Sequence, residues 1–231
     1  MLDMVVQPLS PTDAELAARH QLFPSDIKEM QNQKHQQIFS FFTVMLATLF
    51  KDTPNINVGG DQAFYWNSDD DRFCIAPDAH LIRGIDNTPR SSFKLWEEKA
   101  AAPDFSIRFV LELWSKGNPF TERYEKYETY TMLGAAEYFE FDTTYDDLIG
   151  HRMNKNGRYD VIKPNPNGRI YSQELDAEII YEDGLLRLYR NGKKVLTASE
   201  AQSELQKAQS ELQAKEEEIA RLKKLLEEKE K

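Results

Sequence analysis

The chain is poor in cysteine, in positive charge and in long apolar runs. Cys74 is the only cysteine among 231 residues, so no intrachain disulfide can form and a reducing, cytoplasmic setting is expected. The most apolar stretch, Ile38 to Phe50, is short and carries Ser40, Thr43 and Thr48. It is too short to cross a bilayer and predicts a buried helix instead. The N-terminus lacks a basic segment ahead of an apolar core, so no signal peptide is expected. Lys and Arg total 29 against 39 Asp and Glu, a net charge of −10. That balance argues against nonspecific coating of nucleic acid, which needs cations to replace counterions, but leaves room for a local basic strip. No phosphate-binding glycine loop, dinucleotide fingerprint, nucleophile elbow or zinc-ligand spacing occurs. Nucleotide cofactors and serine-hydrolase chemistry therefore have no support.

What is present suffices for a core: 40% hydrophobic and 11% aromatic residues, enough for one main domain with an appendage. Residues 1–24, punctuated by Pro8, Pro11 and Pro24, read as an N-terminal arm. A main domain spans 25–198. Its first helix starts at Ser25 as N-cap, and Ile38, Phe41, Phe42, Met45, Leu46 and Leu49 recur at three-to-four spacing, the mark of one broad buried face. Short strands follow at Asn57–Gly59, Ala63–Trp66 and Phe73–Ala76, with Cys74 expected in the core. Gly84 to Lys99 reads as an irregular polar connector.

Phe105 to Trp114 alternates, with Ile107, Phe109, Leu111 and Leu113 on one side and Arg108, Val110, Glu112 and Trp114 on the other. Thr121 to Leu133 predicts a helix capped by Thr121 and stopped by Gly134. A strand at Glu137–Asp142 precedes an antiparallel meander over Gly150–Met153, Arg158–Ile162 and Leu185–Tyr189, with Asn-Gly turns at 156–157 and 191–192. In the tail, 199–231, Leu205, Leu212, Ile219 and Leu226 recur every seven residues. That period predicts a coiled coil, with a single solvated helix as the plainer reading.

Two carboxylates stand out. Asp78 follows Ala76-Pro77 at the end of an apolar run, and Glu112 sits inside Val110–Trp114. Carboxylates are poor strand formers and costly to bury, and a divalent metal held between them is the usual reason for such a pair. Plainer readings remain: Asp78 as a turn residue, Glu112 as a partner of Arg108, and Glu122 with Lys126 as a surface pair one helical turn apart. Arg90, Lys94, Trp96 and Trp114 read equally as DNA contacts or as packing.

The order APD (76–78), KLWEE (94–98), VLELWSKGN (110–118) and ERYEKYETYTMLGAAEYFEFD (122–142) resembles the bacterial "putative restriction endonuclease" family of the PD-(D/E)xK nuclease superfamily. The resemblance runs from about Lys34 to Thr197. It implies an α/β fold, a restriction-endonuclease-like mixed sheet with flanking helices, an antiparallel meander and the C-terminal coiled-coil helix. It further implies Mg²⁺ (or Mn²⁺) at Asp78 and Glu112, DNA as substrate, and hydrolysis of phosphodiester bonds.

Two departures accompany it. Trp114 stands where the superfamily's lysine is expected, two residues after Glu112. Lys126 on the next helix is the preferred substitute, with Lys116 second, and Glu122 stands where the family's helix motif has aspartate. Ser106–Phe109 also reads as an insertion ahead of Glu112, which preserves strand parity or creates a bulge. His35 occupies a position similar to a family histidine near the site. The expected protein is thus an endonuclease forming a homodimer through its tail. The alternative is a catalytically silent, nuclease-derived binding or assembly protein.

Overall fold

The computed structural model describes residues 33–229; the expected arm, the Ser25 cap and His20 lie outside them. Helix α1 (Gln33–Leu49) forms where the three-to-four spacing predicts and buries His35, Ile38, Phe42, Met45 and Leu46. No helix among the described residues is long and apolar enough to cross a membrane.

The main sheet has six strands in the order β1 (Ile56–Gly59), β4 (Ala79–Arg83), β6 (Ser106–Trp114), β7 (Glu137–Asp142), β8 (Asp147–Met153), β9 (Tyr159–Ile162). Within this sheet only β6 and β7 run parallel. Helix α3 (Phe120–Leu133) is the crossover between them, as parallel neighbours require. A small sheet joins β2 (Ala63–Tyr65), β3 (Cys74–Ile75) and β5 (Ser92–Lys94). A third sheet carries β10 (Ile170–Ser172), β11 (Ala177–Glu182), β12 (Leu185–Arg190) and β13 (Lys193–Lys194). The fold is mixed α/β.

The two faces of the main sheet bury different cores. On one, Phe109, Leu111 and Leu113 pack with α1 and with Ile179, Leu186 and Leu188 of the third sheet. On the other, Val110 and Tyr138 pack with Phe64, Phe93, Leu95 and Tyr130. Glu112 shares the parity of Val110 and so enters the second core beside α3.

Several sequence expectations are corrected. Strict alternation along β6 fails at Arg108: Leu81 pairs Phe109 while Ile82 pairs Ile107, leaving Arg108 as an extra, bulged residue. Ile107 therefore joins the core of Val110 rather than that of Phe109. The Gly84–Lys99 connector contains β5 and the start of helix α2 (Leu95–Ala101). The meander is divided, with β8 and β9 in the main sheet and β12 in the third. Cys74 is exposed, because its neighbour Ile75 takes the inward position. Pro119, not Thr121, occupies the N-cap position of α3 and makes no side-chain capping bond, while Gly134 ends the helix in the left-handed conformation at φ 76°. The tail, by contrast, is helical as the heptad spacing predicts: α4 (Ala198–Lys229) is one helix with Leu205, Leu212, Ile219 and Leu226 all at least half exposed.

Candidate active site

Asp78 directly precedes β4. The Ala79–Leu111 register of the antiparallel β4–β6 pair, continued by one step, sets Asp78 opposite Glu112. The approach is tight. Asp61 donates its N–H to the Pro77 carbonyl at 2.8 Å, and a Cβ on Gly60 would lie 2.1 Å from the Asp78 carbonyl oxygen. Only glycine lets the backbone pass this close. The half-buried Asp78 carboxylate accepts the Leu113 N–H on Oδ2 at 2.7 Å, and its Oδ1 lies 2.9 Å from His35 Nε2 of α1. Two elements thus hold it from opposite sides.

Glu112 is 1% exposed. Its Oε2 accepts from Lys126 Nζ at 2.6 Å, and its Oε1 from the Tyr130 hydroxyl at 2.5 Å. Lys126 and Tyr130 stand one turn apart on α3, so a single helix face supplies both donors. Burial drives the Glu112 pKa up to about 7; the Lys126 charge opposes this and the Asp78 charge adds to it. Burial alone would depress the Lys126 amine, but the charge and hydrogen bond of Glu112 outweigh it and raise its pKa. Burial and Glu112 hold the Tyr130 hydroxyl well above its ordinary pKa, so it remains a donor.

Trp114, also 1% exposed, has an explicit role in the packing. Its indole Nε1 donates to Glu140 Oε2 at 2.9 Å, and Lys126 Nζ and the Arg123 guanidinium lie 5.5 and 5.3 Å from its ring centre. Glu140 also meets His151 Nε2 at 3.2 Å. The ring therefore forms a platform under the amine that reaches Glu112 from α3.

The structure brings Asp78, Glu112, Lys126 and His35 together. Glu122 accepts from Asn118 at 3.2 Å and its charge acts on Lys126. Lys116 lies exposed in the turn after β6, away from the buried pair. Arg108 pairs with Glu174 at 2.6 and 2.7 Å, which corrects the sequence alternative of an Arg108–Glu112 pair; the bulge redirects its side chain. Arg90 reaches Asp86 and Glu98. Tyr130 was missed by sequence reading, although its position four residues after Lys126 was available as a signal.

The donor set suits a hard cation. With both ionised, Asp78 and Glu112 set two negative charges against the single ammonium of Lys126, and each oxygen keeps a lone pair beyond the bond described. Among the described residues no three His, Cys, Asp or Glu side chains gather round one point. An ion here would therefore rest on two carboxylates, with water completing its shell, as Mg²⁺ prefers.

A parallel β6–β7 pair bridged by a helix, with two carboxylates and a lysine at one strand end, is the frame of restriction-endonuclease-like nucleases. The chain belongs to the Uma2 family, described as "putative restriction endonuclease", whose model matches residues 14–180. A similar solved structure is a "putative nuclease belonging to DUF820" from Anabaena variabilis. It is 13% identical, covers 64% of this chain and 83% of that one, and has a TM-score of 0.45. No curated protein matches the sequence.

Proposed function

We propose that the protein is a Mg²⁺-dependent endonuclease that hydrolyses DNA phosphodiester bonds, with Asp78 and Glu112 as metal ligands and Lys126 as the catalytic cation. The observation that carries this reading is the 2.6 Å contact from Lys126 Nζ to Glu112, the carboxylate set across from Asp78. A bound ion would polarise the phosphoryl group and lower the pKa of a water nucleophile. Lys126 offers its ammonium to the charge that builds on the phosphoryl oxygens in the transition state. The Leu113 N–H and His35 orient Asp78, and Tyr130 orients Glu112 and keeps water from one of its oxygens. The grounds for a silent, nuclease-derived protein are Trp114 in the lysine position, the Ser106–Phe109 insertion and the acidic net charge. A lysine delivered from α3 across the Trp114 ring weakens the first of these.

The tail supports a homodimer. Leu205, Leu212, Ile219 and Leu226 form an exposed seam on α4, and a second copy of the same seam would cover it. Two sites joined in this way suit cleavage of two strands.

The test is incubation of purified protein with supercoiled plasmid and Mg²⁺ or Mn²⁺. Nicked and linear products are expected from the wild type, and none from Asp78→Ala or Glu112→Ala. Cutting that survives both changes overturns the assignment.

A further inference from the structure

Helix α3 presents a second face beside the one that meets Glu112. Phe120, Arg123, Tyr124 and Tyr127, at the spacing of one helical stripe, line a cleft of about 520 Å³ together with Trp114 and Tyr145. This volume falls in the range of small-ligand sites. Phe120 and Tyr145 are each 81% exposed and Tyr124 is 58% exposed, an outlay of aromatic surface that no packing in the fold uses. Trp114 joins the cleft to the candidate active site, since its ring is also the platform under Lys126.

The polar lining is acidic. Glu140 is engaged by Trp114 and His151, and Asp142 by Arg123 at 2.7 Å. Asp147 is exposed, and its carboxylate accepts no side-chain hydrogen bond from the described residues. Three carboxylates against one paired arginine repel a phosphate, so the cleft does not track a nucleic-acid backbone. A nucleobase meets both features: a flat π-face for the aromatic rim and, in adenine, cytosine and guanine, an amino group for a carboxylate.

We infer that this cleft takes an unpaired, amino-bearing nucleobase of the substrate strand next to the phosphate held at Asp78 and Glu112. The inference rests on the nuclease reading for its substrate. It makes the enzyme selective for DNA with an extruded or single-stranded base, because a base inside a duplex cannot reach the aromatic rim. Phe120, Tyr124 and Tyr145 stack on the base, and Asp147 accepts from its amino edge.

The test is fluorescence anisotropy of the full chain, with Ca²⁺ in place of Mg²⁺, on three labelled duplexes. One is fully paired, one carries a single unpaired cytosine and one a single unpaired thymine. The cytosine duplex should bind about tenfold tighter than the paired one, the scale of one stacked base. Phe120→Ala and Tyr124→Ala, both at exposed positions, should erase that advantage. Asp147→Asn should equalise cytosine and thymine. Equal binding of all three duplexes by the wild type, no binding of any, or an advantage that survives both aromatic variants overturns the inference. Failure of the nuclease reading shows separately: plasmid left intact in Mg²⁺ alongside a cytosine preference sinks the activity and leaves the cleft assignment standing.

Discussion

Glu112 and Glu137 are both 1% exposed and lie on the adjacent strands β6 and β7, yet their surroundings differ in kind. Glu137 accepts from Arg152 Nε at 2.8 Å, from Ser172 Oγ, and from the backbone N–H groups of Gln173 and Glu174 at 3.0 and 3.4 Å. These donors fasten the third sheet to the first. Glu112 has two donors, both from α3 side chains, and faces a second carboxylate. Burial alone therefore does not mark a reactive carboxylate. A fully bonded one is a structural tie, whereas one paired with a like charge is costly to the fold and suited to chemistry.

Substitutions separate the two roles. Glu112→Gln should lower DNA cleavage by about three orders of magnitude, the upper scale for loss of one preorganised group, read as initial nicking rate. Glu137→Gln should cost about 3 kcal/mol in urea unfolding, because it leaves Arg152 without its buried partner. Lys126→Met should slow cleavage about a hundredfold. Its circular dichroism should remain that of the wild type, since the exposed side of α3 is untouched.

The pH behaviour of the two sites should also diverge. The folded Glu112 pKa of about 7 stands above the ordinary 4.5. Between these values the native state holds a proton that the unfolded chain has released. The stability tied to that proton is complete below about 4.5 and is lost as pH rises through 7. Glu112→Gln should remove this slope from a urea-midpoint series, and Glu137→Gln should keep it. Tyr130→Phe removes a donor that favours the ionised carboxylate and should move the loss of that stability, read in the same metal-free urea series, to higher pH, the smallest of these effects.

How far the sequence carries can be judged from these same residues. Asp78 and Glu112 stood out because carboxylates in apolar runs need a partner, whereas Lys126 came from the resemblance to the family's helix pattern, since its one-turn spacing from Glu122 reads equally as a surface pair. The Arg108 bulge was not legible in detail: the apparent four-residue insertion Ser106–Phe109 suits either a continuous strand or a bulge, and only the Ile82–Ile107 pairing decides it. The function of Trp114 was hidden too, since a tryptophan in a strand reads as core until Glu140 and Lys126 are placed around it. Tyr130 looked like one more aromatic on a helix face. Glu137 passed unnoticed because its donors, Arg152 and the 172–174 turn, lie far away in the chain. The sheet order was only partly readable, for strands β10 to β13 pair among themselves through turns that also suit the main sheet.

The most direct measurement is the rate of plasmid nicking in Mg²⁺ by Glu112→Gln and Glu137→Gln side by side, well below both unfolding transitions. The account predicts near wild-type cutting by Glu137→Gln and essentially none by Glu112→Gln. Wild-type cutting by Glu112→Gln would contradict it.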